Sequence, residues 1–109
     1  KPILVVEGPL DSLFLDNCIA VAGADFSNME GDLTVIYDNE PRNKEINKQI
    51  EKTIDQGKSV CLWPDHMKEK DINDMIIAGY SKKEVQEIIT NNTFSGVAAK
   101  LRFAEWRRI

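Results

Sequence analysis

Four short apolar runs set the rhythm of the chain: residues 3–6 (ILVV), 19–22 (IAVA), 33–37 (LTVIY) and 59–63 (SVCLW). Each is continuous rather than alternating and rich in β-branched or aromatic residues, the pattern of a strand buried on both faces of a parallel sheet. Between and after them the period becomes helical. Residues 10–17 (LDSLFLDN) place Leu10, Leu13 and Phe14 on one face of a short helix, and 24–32 form a polar loop turning at Gly31-Asp32. Pro41 fits the first turn of the next helix, Ile46, Ile50 and Ile54 give it a buried stripe, and Gly57 closes it. Asp71 caps a helix carrying Ile72, Met75 and Ile76 and ending at Gly79. Ser81 and Glu84 form a capping-box pattern opening another, with Val85, Ile88 and Ile89 inward. Residues 94–109 read as a last helix, capped by Ser95, with Val97, Leu101 and Ala104 toward the body. Strands alternating with helices predict an α/β domain built on a mostly parallel sheet of roughly four strands flanked by helices. Residues 1–109 form one domain, with about 81–109 as a helical C-terminal extension.

Composition narrows the function classes. No apolar run approaches the ~18 residues a membrane span requires, and no basic stretch followed by an apolar one suggests a signal peptide. The expected setting is cytoplasmic. The first residue is not Met, so the chain reads as a domain of something longer. Cys18 and Cys61 lie far apart in apolar contexts without a CxxC, as two reduced core thiols would. A net charge of −4 argues against binding nucleic acid by charge alone, but acids that hold metal ions can still handle it.

Three of the four strands run into a carboxylate: Glu7, Asp38 and Asp65, with Asp11, Glu40, Asp71 and Asp74 close behind. Parallel strands share their carboxyl edge, where ligands of open α/β sheets gather. Two carboxylates ~6 Å apart at an effective dielectric of ~20 repel by about 3 kcal/mol, so such a cluster calls for a cation. Oxygen-only ligands suit Mg²⁺ or Mn²⁺ rather than Zn²⁺. His66 is the only histidine, which leaves no basis for a zinc site or a Ser-His-Asp triad. Each acid also has a purely structural reading. Asp11 suits a helix start through the macrodipole, Asp71 an N-cap with Asp74 completing it, and Asp65 a turn after Pro64.

Glu7-Gly8-Pro9-Leu10-Asp11, at the end of the first strand, resembles the Glu-Gly-x-x-Asp motif of the Toprim domain, and Asp38-Asn39-Glu40 resembles its Asp-x-Asp motif. Pro64-Asp65 and Lys70-Asp71-Ile72-Asn73-Asp74 look like segments that follow in many primases. The resemblance runs from about residue 3 to residue 79. EGPLDSLFL together with KDINDMI looks most like the primase branch, in particular the Toprim domain of DNA primases of T-even-like bacteriophages. It implies a Rossmann-like sheet of four parallel strands and a metal-dependent nucleotidyl transfer that joins ribonucleoside triphosphates into RNA primers on a single-stranded DNA template during DNA replication. It also implies Mg²⁺ (or Mn²⁺) as cofactor. By motif match, Glu7 is a metal ligand or general acid/base with Asp11 as supporting acid, and Asp38, Glu40 and Asp71 are metal ligands. Arg42, Lys44, Lys68 and Lys70 flank these acids as candidate phosphate-holding cations, each with a solvated-charge reading beside it. Lys100, Arg102, Arg107 and Arg108 make the C-terminal segment basic, as a surface for template or subunit or as a solvated helix face, and Phe103 and Trp106 read as packing.

Two departures stand out: Glu40 is one methylene longer than the family's usual Asp, and the zinc-binding module and basic subdomain of a primase are not among these residues. Those modules are expected outside this chain, with a replicative helicase as a candidate partner. Two other readings share the acidic cluster: a metal-dependent nuclease, and a docking module that keeps the fold without turnover.

Overall fold

Neighbouring side chains on the strands point to opposite faces, and each face carries its own core. Val5, Val35, Val60 and Leu62 join Ile46, Ile50, Ile54, Ala99, Phe103 and Trp106 on one side. Val6, Ile36, Cys61 and Trp63 join Met67, Ile72, Met75, Val85 and Ile89 on the other. The unbroken apolar runs in the sequence arise from this two-sided burial. The computed structural model describes residues 3–6, 15, 18–20 and 32–108. Within them the elements are β1 (Ile3–Val6), β2 (Cys18–Ala20), β3 (Leu33–Ile36), α1 (Lys44–Asp55), β4 (Ser59–Cys61), α2 (Ile72–Ile77), α3 (Lys82–Asn91), β5 (Thr93–Phe94) and α4 (Gly96–Trp106).

The sheet order is β2-β1-β3-β4-β5. β1 pairs in parallel with β2 and β3, and β3 with β4, as expected, so Val6, Ile36 and Cys61 stand level at one edge. The fifth strand differs from expectation. Thr93 and Phe94 pair antiparallel with Cys61 and Val60, so Phe94 belongs to the sheet and not to the last helix. The helix starts at Gly96, after Ser95 as its N-cap, although the Ser95 side chain makes no capping bond. Its inward face is also not the expected one. Ala99, Phe103 and Trp106 are buried, whereas Val97 and Leu101 are 72% and 65% exposed and Ala104 is exposed. Facing the two aromatic rings inward removes more apolar surface from water than facing Val97 and Leu101 inward would.

Helix α1 carries its stripe as expected, with Ile46, Ile50 and Ile54 buried and Gly57 beyond its end at φ 78°. Its start moves, however. Asn43 is the N-cap, its Oδ1 accepting from the N–H groups of Glu45 and Ile46, and Pro41 sits in the turn ahead of the helix. An amide that satisfies two orphan donors fixes the start more firmly than a proline that merely tolerates it. Asp71 caps α2, and Ser81 with Glu84 closes the full capping box of α3. Of the helix expected over 10–17, only Leu15 is among the described residues, and it is buried. Neither cysteine forms a disulfide; Cys61 is buried, which pushes its thiol far above the usual range and leaves it inert, while Cys18 is half-buried. Among the described residues no helix is long and apolar enough to cross a membrane.

Candidate active site

Because β1, β3 and β4 are parallel, the chain leaves all three at the same edge. Glu7 and Asp11 lie outside the described residues. From β3 the chain continues through buried Tyr37, whose hydroxyl shares a 2.7 Å hydrogen bond with Thr53 Oγ1 of α1 and whose carbonyl accepts from Trp63 Nε1 at 3.0 Å. Asp38, Asn39 and Glu40 follow, all half-buried. Tyr37 is thus anchored on both sides of the sheet, and the acids leave a fixed point.

Asn39, between the two acids, ties this segment to the loop after β4. Its backbone N–H donates to Lys70 O at 2.6 Å, and its Nδ2 donates to Met67 O at 2.8 Å and Glu69 O at 3.2 Å. Its remaining polar atom, Oδ1, accepts from the indole N–H of Trp106 at 3.2 Å. All the amide's polar atoms are engaged, and they join β3, the 67–70 loop and α4.

Lys70 then reaches back, with Nζ 3.3 Å from Glu40 Oε1. The other oxygen of Glu40 accepts from Asn43 Nδ2 at 2.9 Å. The Lys70 ammonium is held above its ordinary pKa, first by the hydrogen bond to Glu40, then by the charges of Glu40 and Asp38 and, more weakly, of Asp71, against a small opposing loss of solvation. Glu40 pairs with this ammonium directly, and the charges of Asp38 and, most weakly, Asp71 reach it. Among the described residues no three His, Cys, Asp or Glu side chains are grouped to hold a metal ion by themselves.

Asp71 accepts from the N–H of Asp74 at 2.8 Å through Oδ1, so the capping reading of this pair is realised while Asp71 also faces Lys70. Asp65 is 78% exposed and sits 3.5 Å from Arg102, which is far better buried and also donates to Trp63 O at 3.0 Å. Arg102 is therefore a staple from α4 to the end of β4 and not part of a solvated face. Arg42 and Lys68 line one open cleft of about 470 Å³ with Glu40, Asn39, Asn43 and Met67, and Lys68 Nζ also donates to Asp65 O at 3.3 Å. Lys44 and Lys70 are not among that cleft's lining residues. His66 is exposed.

Four residues have roles at this edge that the sequence does not place there: Asn39 and Asn43, Arg102, which reads as part of a basic helix face, and Trp106, which reads as packing. Asn43 stands where an N-cap signal belongs, directly before the first helical residue. Trp106 carried a general signal, since a buried indole N–H needs an acceptor. Asn39 and Arg102 carried none, because their partners are remote in sequence.

No family model matches the chain. The chain is similar to the DNA primase of Enterobacteria phage T4, with 36% identity over 98% of its own length. It spans 33% of that protein's length. The chain is primase-related and has a mostly parallel α/β sheet compatible with a Rossmann-like fold.

Proposed function

We propose that this chain is the Toprim-type catalytic domain of a DNA primase and joins ribonucleotides into primers on single-stranded DNA in a metal-dependent nucleotidyl transfer. The observation that carries the reading is the junction at the sheet's carboxyl edge. There, Glu40, four residues past β3, pairs with the Lys70 ammonium at 3.3 Å, Asn39 ties the segment to the 67–70 loop, and the charges of Asp38 and, most weakly, Asp71 reach the same ammonium. An edge that brings carboxylates toward one cation suits a hard divalent ion, since the candidate donors are oxygens and the Cys61 thiol at this edge is buried and protonated. Glu7, which directly follows β1 in the sequence, is the further ligand or general acid/base that the reading requires, with Asp11, four residues on in the sequence, as supporting acid.

The chain's own residues divide the work. Asp38, Glu40 and Asp71, completed by Glu7, would hold Mg²⁺ or Mn²⁺, which when bound supplies charge stabilisation for the triphosphate and for the attacking and leaving oxygens. Asn43 orients Glu40 through its second oxygen. Arg42 and Lys68, on the cleft beside Glu40, supply positive charge for phosphate groups, with Lys44 and Lys70 adding to it. Template and ribonucleoside triphosphates are the partners, and the zinc-binding and basic subdomains of the primase complete the machine from outside these residues.

The test is priming by the intact protein on single-stranded DNA with ribonucleotides and Mg²⁺. Glu7→Gln and Asp38→Asn are each expected to abolish primer synthesis while the protein stays folded. Priming at the wild-type rate in either variant overturns that residue's assignment. Degradation of labelled DNA in Mn²⁺ without nucleotides, and no primer synthesis, replaces the primase reading with a nuclease.

A further inference from the structure

The middle residue of the acid pair and the last turn of α4 are joined in a way the proposed chemistry does not by itself require. Trp106 is 1% exposed, packs in the core on the α1 side with its ring centroid 6.2 Å from that of Phe103, and spends its only polar atom on Asn39 Oδ1. The two residues are 67 apart in sequence. On its other side Asn39 donates to Met67 O and Glu69 O, and its backbone N–H donates to Lys70 O, the residue before Asp71. An amide with a free χ2 has two orientations. Only the one with Oδ1 toward Trp106 aims Nδ2 at both loop carbonyls, and the opposite one would set the amide NH₂ against the indole N–H and Oδ1 against two carbonyls. The indole therefore selects the rotamer that clamps the 67–70 loop.

We infer that Asn39 and Trp106 are positioning residues for the acidic site: Trp106 orients the Asn39 amide, and Asn39 sets the spacing between the Asp38/Glu40 segment and the Lys70-Asp71 segment. The C-terminal helix is thereby part of the site's supporting structure without contributing a charged ligand. Supporting shells of this kind typically account for ~10–100-fold in metal affinity or activity, because ligands held loosely spend binding energy on their own ordering. This inference rests on the metal-dependent reading above for its consequence, but not for its geometry.

The experiment separates the two. Trp106→Phe keeps an aromatic ring in the core and removes the N–H, and Ile50→Val lightens the same core without touching Asn39. The wild-type protein and both variants are compared at equal distance below their melting temperatures, by amide exchange at Asn39 and by Mn²⁺ titration. Trp106→Phe is expected to speed exchange of the Asn39 amide about 10-fold or more relative to Ile50→Val and to weaken Mn²⁺ binding about 10-fold. Equal Asn39 exchange in the two variants overturns the positioning role and reduces Trp106 to core packing. Faster exchange with unchanged Mn²⁺ affinity overturns the link from the clamp to the acids. A wild-type protein that takes up no Mn²⁺ brings down the metal-dependent reading instead, and the exchange measurement still decides whether Trp106 orients Asn39.

Discussion

Glu40 and Asp65 each stand four residues past the end of a parallel strand, yet the structure treats them differently. Glu40 is 28% exposed, and each carboxylate oxygen has its own partner, Lys70 on one and Asn43 on the other. Asp65 is 78% exposed and has a single ion pair with Arg102, at 3.5 Å. The backbone around Glu40 is tied into the next loop through Asn39, whereas beside Asp65 it is the neighbouring carbonyl of Trp63, not the carboxylate, that receives the closer bond from Arg102. An acid whose oxygens are both held has a fixed orientation, and an acid on a solvated turn does not. The contrast separates a strand-end acid held by its neighbours from one that merely follows a strand.

Substitutions can break or sharpen this contrast. The largest effect is expected for Glu40→Gln, which keeps the shape and hydrogen-bonding reach of the side chain but removes its charge. Priming should fall by more than the ~10–100-fold typical of groups that only support a ligand, and a primer-synthesis rate within a few-fold of wild type would place Glu40 outside the machinery. Next come the Asn43 variants. Asn43→Ala removes both the α1 cap and the Glu40 partner, costing about 1 kcal/mol in denaturant unfolding and weakening Mn²⁺ binding. Asn43→Ser retains the cap, so its stability should match wild type while the loss of Mn²⁺ affinity persists; recovery of affinity along with stability would show that Glu40 needs no orienting partner.

Smaller still is the effect of Lys70→Met. The Lys70 pKa is raised in the folded chain, so the stabilisation from its pairing is present in full below the ordinary lysine pKa and is lost as pH rises through the raised value. The pair is solvent-exposed, so the melting temperatures of wild type and Lys70→Met should differ little at neutral pH and converge at strongly alkaline pH. A gap that widens with pH would contradict the assigned pairing. Asp65→Asn should change least, with priming and stability both close to wild type. A loss comparable to that of Glu40→Gln would erase the distinction between the two acids.

What the sequence could reveal follows the range of the interactions involved. The strand cores, the α1 stripe at Ile46, Ile50 and Ile54 and the Ser81–Glu84 capping box depend on neighbours a few residues away, and all were legible. Helix α4 was not, because it is apolar nearly all round: Val97, Ala98, Ala99, Leu101, Phe103, Ala104 and Trp106 leave no single face marked. Its orientation follows from the size of its two rings and the need of the Trp106 N–H for an acceptor that lies on β3's exit. At the candidate site the order and spacing of the strand-end acids were legible, and the Glu40–Lys70 pair that links two of those segments was not. Which acid is held could not be read, since Glu40 is held by the Asn43 amide and the Lys70 ammonium and its backbone is tied through Asn39, and polar residues of that kind carry no periodic signature.

The chain holds two tryptophans, and both indoles donate to the short stretch leaving β3: Trp63 to the carbonyl of Tyr37 and Trp106 to the side chain of Asn39. They approach it from opposite faces of the sheet, one from each core. Intrinsic fluorescence of this protein is therefore a local gauge of the segment that carries Asp38 and Glu40 as well as a measure of overall folding. A shift in emission on adding a divalent ion, without a change in far-ultraviolet circular dichroism, would report rearrangement at that strand exit with no label introduced.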